Sequence, residues 1–88
     1  MRLDLLLNKL CLTKTRSIAK NACDKNLLTI NGKHAKAASE VKDGDVIVMK
    51  LYGFEHEFRI TALPTGNVAK KDAGTYYETL RRVEISQG

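Results

Sequence analysis

Eighty-eight residues hold one domain with one modest core, which excludes a catalytic domain joined to a separate recognition domain. The charged fraction of 28% and the hydrophobic fraction of 43% are those of an ordinary globular chain, and the formal net charge is +5. Residues 1–36 carry eight Lys and Arg against Asp4 and Asp24, whereas residues 37–88 carry seven basic and eight acidic side chains. All the excess positive charge therefore lies in the N-terminal part, a field that attracts polyanions and ranks nucleic acid first among partners.

Leu3, Leu6, Leu7 and Leu10 recur at helical spacing behind Asp4, which suits the positive end of a helix dipole, and the pattern predicts a short helix over 4–11. Thr13-Lys14-Thr15 interrupts it, and the Thr15 hydroxyl suits the N-cap of a second helix over 16–24. That helix has a narrow stripe of Ile18, Ala19, Ala22 and Cys23 for close packing. Arg16 and Lys20, four residues apart, share another face, with Lys14 just before them. Asn26 suits the left-handed residue that closes a helix. Leu28 and Ile30 alternate with Thr29 and Asn31 as in a half-buried strand, and Asn31-Gly32 signals a tight turn.

Residues 33–45 read as a connecting segment that ends in an Asp43-Gly44-Asp45 turn. Val46 to Leu51 is a strand by composition, Tyr52-Gly53 reverses the chain, and Phe54, His56, Phe58 and Ile60 alternate with polar residues as in a strand with one wet face. Phe54, Phe58 and His56 are expected to pack inside. Pro64, Gly66 and Asn67 close the hairpin, and the spacing of Ala73, Tyr76, Tyr77 and Leu80 predicts a short C-terminal helix, weakened by Gly74. Residues 1–63 are expected to form one nucleic-acid-binding domain, and 64–88 a tail in the same globule.

Cys11 and Cys23 fall within helical patterns and read as buried thiols. His34 and His56 are the only other soft ligands and are dispersed, so neither a metal site nor another cofactor is expected. No apolar run reaches the roughly 18 residues of a membrane span, and no signal-peptide pattern opens the chain, so a cytoplasmic location is expected. No GxSxG, P-loop, HExxH or CxxC pattern occurs, and the acids and histidines lack motif spacing; a binding protein is expected rather than an enzyme.

Three segments carry a resemblance: Arg2-Leu3-Asp4, then Thr15-Arg16-Ser17-Ile18-Ala19, then Leu28-Thr29-Ile30-Asn31-Gly32. In this order and spacing they resemble the RNA-binding domain named after ribosomal small-subunit protein S-four, the alpha-L motif. The segment from Lys33 to Asp45 is similar to that of its stand-alone, small heat-shock-like subgroup in ribosome-associated quality control. Departures are Asn26 where many relatives have Gly, Cys11 where a basic residue is common, and Asp43 where Pro is common.

The resemblance implies an α+β fold, two short N-terminal helices packed on a small, mostly antiparallel sheet with a short C-terminal helix or tail. It also implies binding of rRNA and tRNA on the large ribosomal subunit, stabilising peptidyl-tRNA on stalled, dissociated particles beside a tail-adding factor. A monomer is expected.

The candidate RNA-binding residues are Arg2, Lys14, Arg16 and Lys20, extended by Lys33 and Lys36. Arg16 ranks first because a guanidinium grips phosphate bidentately. The alternative for Arg16 is an ion pair with Asp4 or Asp24. A two-helix face suits shape and phosphate readout of A-form RNA. Tyr52, Phe54, Phe58, Tyr76 and Tyr77 lie outside the basic segment, which disfavours a base-stacking platform. A generic structured-RNA binder and a basic protein–protein adaptor are the rival readings.

Overall fold

The computed structural model describes residues 1–85. Two helices, α1 (Leu3–Lys9) and α2 (Arg16–Asp24), pack on one face of a five-stranded sheet. Its strands are β1 (Leu28–Ile30), β2 (Lys33–His34), β3 (Val46–Leu51), β4 (Phe54–Ile60) and β5 (Tyr77–Glu84), in the spatial order β2-β1-β3-β4-β5. Every neighbouring pair is antiparallel. The fold is the expected α+β arrangement.

The four leucines of the N-terminal pattern are all buried and form the centre of the core with Ala19, Ala22 and Cys23 of α2. They meet Leu28, Ile47, Phe58 and Ile60 from the inner face of the sheet. Each fully buried Leu or Phe contributes about 1.5–3 kcal/mol over its exposed state, so this alternation fixes which side of the sheet takes the helices.

Both helices end in the same way. At α2, Asn26 takes φ 59°, its N–H donates to Cys23 O at 3.0 Å, and Leu27 N–H donates to Ala22 O at 2.9 Å. This pair of bonds is a Schellman closure, and Asn26 fills the left-handed position as expected. At α1, Cys11 takes φ 58°, Cys11 N–H donates to Asn8 O at 3.1 Å, and Leu12 N–H donates to Leu7 O at 2.9 Å. The helix therefore stops before Cys11, which is exposed rather than a buried thiol. Thr15 caps α2 as predicted, its Oγ1 accepting from Ile18 N–H at 3.1 Å.

Two hairpins follow from pairs of left-handed residues. Asn31 (φ 52°) and Gly32 (φ 85°) join β1 to β2, and Tyr52 (φ 56°) and Gly53 (φ 80°) join β3 to β4. Positive φ at both central residues matches the right-handed twist of the flanking strands. Lys33-His34 is thus a short strand, not part of a structureless connection.

The C-terminal segment departs from expectation. A 3-10 turn spans Lys70–Thr75, and Tyr77–Glu84 is a strand along β4, not a helix. In the ladder Phe58 faces Thr79 while Glu57 faces Arg81, so Leu80 is the extra residue of a β-bulge. Ala73 and Tyr76 belong to the 3-10 turn and its end, Tyr77 opens the strand and Leu80 is the bulge, so their helical spacing comes from three different structures. The last three positions of the expected tail lie outside the described residues.

Candidate nucleic-acid interface

The start of the chain is held by a segment far from it in sequence. Leu3 N–H donates to Ser39 O at 2.9 Å, Asp4 N–H to Ala37 O at 3.1 Å, and Val41 N–H to Met1 O at 2.8 Å. The backbone of residues 37–39 thus satisfies amides at the start of α1, where no side chain caps. The N-terminal ammonium donates to Glu40 Oε2 at 2.8 Å, and that bond, with the ammonium charge, holds the Glu40 carboxyl below its ordinary value.

Fixed in this way, Asp4 becomes a clamp. Its carboxylate is buried and accepts from Leu5 N–H at 2.8 Å, Arg2 Nε at 3.2 Å, Arg2 Nη2 at 3.3 Å and Arg16 Nη2 at 3.2 Å. Burial alone would raise the Asp4 pKa. The Leu5 amide and then the Arg16 and Arg2 guanidiniums outweigh it, and the carboxyl sits below its ordinary value. One carboxylate therefore joins the start of α1 to the start of α2 and sets two guanidiniums side by side.

The ion pair weighed for Arg16 is present, with Asp4 as the partner. It does not consume the arginine. The Arg2 and Arg16 side chains remain 50% and 47% exposed. A guanidinium has five N–H donors, and Arg16 commits only its Nη2 to Asp4. Each arginine is held by one edge and offers another to solvent, the arrangement that phosphate binding by a preorganised fork requires.

Arg2 also borders an open depression of about 540 Å³ lined by Lys20, His34, Lys36 and Asp24. Lys36 is held at its backbone, where its N–H donates to Ser39 Oγ at 2.9 Å. Of the six candidates, Arg2, Lys20 and Lys36 meet at this depression, and Arg16 joins them through Asp4. Lys33 is exposed in β2 and Lys14 stands elsewhere, lining a second depression with Tyr52 and Phe54. His34 was not among the candidates; it reaches the depression because Asn31-Gly32 folds β2 back along β1. The single signal for it in sequence is its place between Lys33 and Lys36 after that turn.

Among the described residues, no group of three or more His, Cys, Asp or Glu side chains is arranged to hold a metal ion. His56 is half-buried against Phe58 and Tyr77 and shares a 2.9 Å hydrogen bond with Thr79 Oγ1. Burial first, and the Arg82 guanidinium second, push its pKa below the ordinary value.

Residues 1–47 match the S4 domain. The chain belongs to the S4 domain family. Its matched portion contains the whole Asp4 clamp, both helices and the first hairpin. Over nearly its full length the chain is 37% identical to a protein of Halalkalibacterium halodurans named RQC P-site tRNA stabilizing factor, covering 99% of this chain and 98% of that one. The Bacillus subtilis protein of the same name is 31% identical, over 99% of this chain and all of that one. In structure, this S4 domain resembles heat shock protein 15 of Vibrio cholerae, solved as a trimer, with a TM-score of 0.83 and 26% identity over 90% of this chain and 80% of that one. It also resembles the solution structure of the hypothetical protein HP1423, with a TM-score of 0.77 and 34% identity over 92% and 98% of the two chains.

Proposed function

We propose that this S4 domain binds structured RNA on the large ribosomal subunit and stabilises P-site peptidyl-tRNA there during ribosome-associated quality control in the cytoplasm. The observation that carries the reading is the Asp4 clamp. It holds Arg2 and Arg16 together, half exposed, next to the depression lined by Lys20 and Lys36. This is a rigid cationic face for phosphates, in a chain whose full-length relatives are named for stabilising a P-site tRNA. Phosphate contacts position a protein on RNA, and the wide minor groove of an A-form helix offers them to a small two-helix face. In this reading the domain works by binding rather than by catalysis, as a single copy, and a tail-adding factor acts beside it on the held tRNA.

The test is co-sedimentation of the protein with free large subunits, small subunits, intact ribosomes, and large subunits carrying peptidyl-tRNA. The expected result is preference for the tRNA-carrying large subunit. Equal binding to every particle would replace this reading with a generic structured-RNA binder. Binding to none at moderate salt would leave the basic face to an acidic protein partner.

A further inference from the structure

A second concave surface lies away from the Asp4 clamp, where the inner face of the sheet extends past the end of α1. It is an open depression of about 610 Å³, within the volume range of small-ligand sites. Leu12, Met49 and Leu51 supply apolar lining, and Asn8, Thr13 and His56 polar lining. Around it stand the rings of Tyr52, Phe54 and Tyr77 and the cations Lys14, Lys70 and Arg82. Among the described residues no carboxylate lines it, although Glu84 faces Phe54 in the β4–β5 ladder.

The basic and aromatic residues are distant in sequence, and the fold brings Lys14 to the same depression as Tyr52, Phe54 and Tyr77. The Schellman closure at Cys11 turns the chain so that Lys14 reaches the β3–β4 hairpin, and the bulge at Leu80 puts Arg82 on the inner face of β5. Phe54 is only partly buried, unlike Phe58, because it sits beyond the helices near the hairpin tip. The Arg82 guanidinium carbon lies over the Phe54 ring, 4.2 Å from its centre, a cation–π contact. Tyr52 is 56% exposed at the tip, so its ring is accessible from solvent.

We propose that this depression binds an unpaired nucleotide of RNA, with the base stacked against the Arg82–Phe54 pair and Tyr52 and its flanking phosphates met by Lys14 and Lys70. Aromatic rings and arginine planes are the two surfaces on which unstacked bases settle, and the surrounding charge is of the sign that a phosphate requires. An acidic peptide would satisfy the cations but would leave the stacked planes unused. The site is independent of the Asp4 clamp, so each can fail without the other.

The experiment is an NMR titration of the intact protein with two single-stranded probes: an adenosine pentanucleotide and an abasic ribose-phosphate pentamer with the same number of phosphates. The adenosine probe should bind about tenfold or more tightly than the abasic one and shift the amide signals of Lys14, Phe54 and Arg82. Tyr52→Asn, which suits the left-handed backbone there, should reduce that advantage, and Lys42→Ala, at an exposed lysine outside both depressions, should leave it intact. The site is refuted by equal affinity for the two probes, by no binding of either, or by shifts confined to Arg2, Lys20 and Lys36. Tighter binding of a glutamate-rich peptide to the same residues would assign the depression to an acidic protein instead.

Discussion

At the scale of single residues, Asp4 decides most. Its carboxylate carries four hydrogen bonds, three of them from the two arginines, so Asp4→Asn should cost about 1–3 kcal/mol, measured by urea unfolding. The effect should depend on pH in one direction. The folded carboxyl titrates below its ordinary value of 3.8, so its contribution is complete above that value and is lost as pH falls below it. The gap between wild type and Asp4→Asn should therefore close under acid; a gap that persists unchanged would show that the charge is not what Asp4 contributes. Cys11 supplies a second case. A side chain in the left-handed region costs about 1–2 kcal/mol, against roughly 0.5–1 kcal/mol for the extra freedom of an unfolded glycine. Cys11→Gly should thus raise stability by about 0.5–1 kcal/mol in the same assay. The Arg16–Asp4 pair was open in the sequence as one of two pairings, since Asp4 and Asp24 are equally plausible partners until the helices are placed. Cys11 gave no signal, because it follows four leucines at helical spacing and nothing in its side chain favours a left-handed backbone.

At the scale of elements, the legible parts were those whose pattern and turn chemistry agree. Thr15 as a cap, Asn26 as a helix stop and Asn31-Gly32 as a turn each act through their own side chain or backbone freedom, so their roles survive the loss of tertiary context. Asn31 shows how much such a residue does. Its Oδ1 accepts from Val46 N–H at 2.9 Å and its Nδ2 donates to Asp45 Oδ1 at 3.1 Å, tying the first hairpin to the start of β3. Asn31→Gly keeps the turn and removes both bonds, with an expected loss of about 1–2 kcal/mol by thermal or urea unfolding. A loss near zero would mean that the backbone alone holds that junction. The strand β5 was illegible because the extra residue Leu80 shifts the alternation midway, and because its outward positions mix Leu80 and Val83 with charge. The two-residue strand β2 is too short for any pattern; it exists because the turn before it aims it at β1.

At the scale of the whole molecule, the charge asymmetry in the sequence becomes one organised face. Three of six candidate cations meet at one depression and a fourth is tied to them through a shared carboxylate, whereas Lys14 is carried to the opposite end of α1. No sequence argument separates Lys14 from Arg16, two residues away, because the split depends on where the Cys11 closure sends the loop. Binding through four such cations should release counterions, so the logarithm of the RNA affinity should fall with the logarithm of salt with a slope of about −3. A flat salt profile, measured by filter binding or fluorescence anisotropy, would remove the basic face from the account.

We propose that Arg2 and Arg16, set by Asp4, hold the domain on its RNA. Each single substitution to alanine leaves Asp4 one guanidinium and the Leu5 amide, so the fold survives while one phosphate grip is lost. The most direct measurement is the dissociation constant for large subunits carrying peptidyl-tRNA, for wild type, Arg2→Ala and Arg16→Ala, at a temperature where all three are folded. Each variant should bind roughly tenfold or more weakly, as loss of a hydrogen-bonded charge contact predicts. Unchanged constants for both variants would contradict the account.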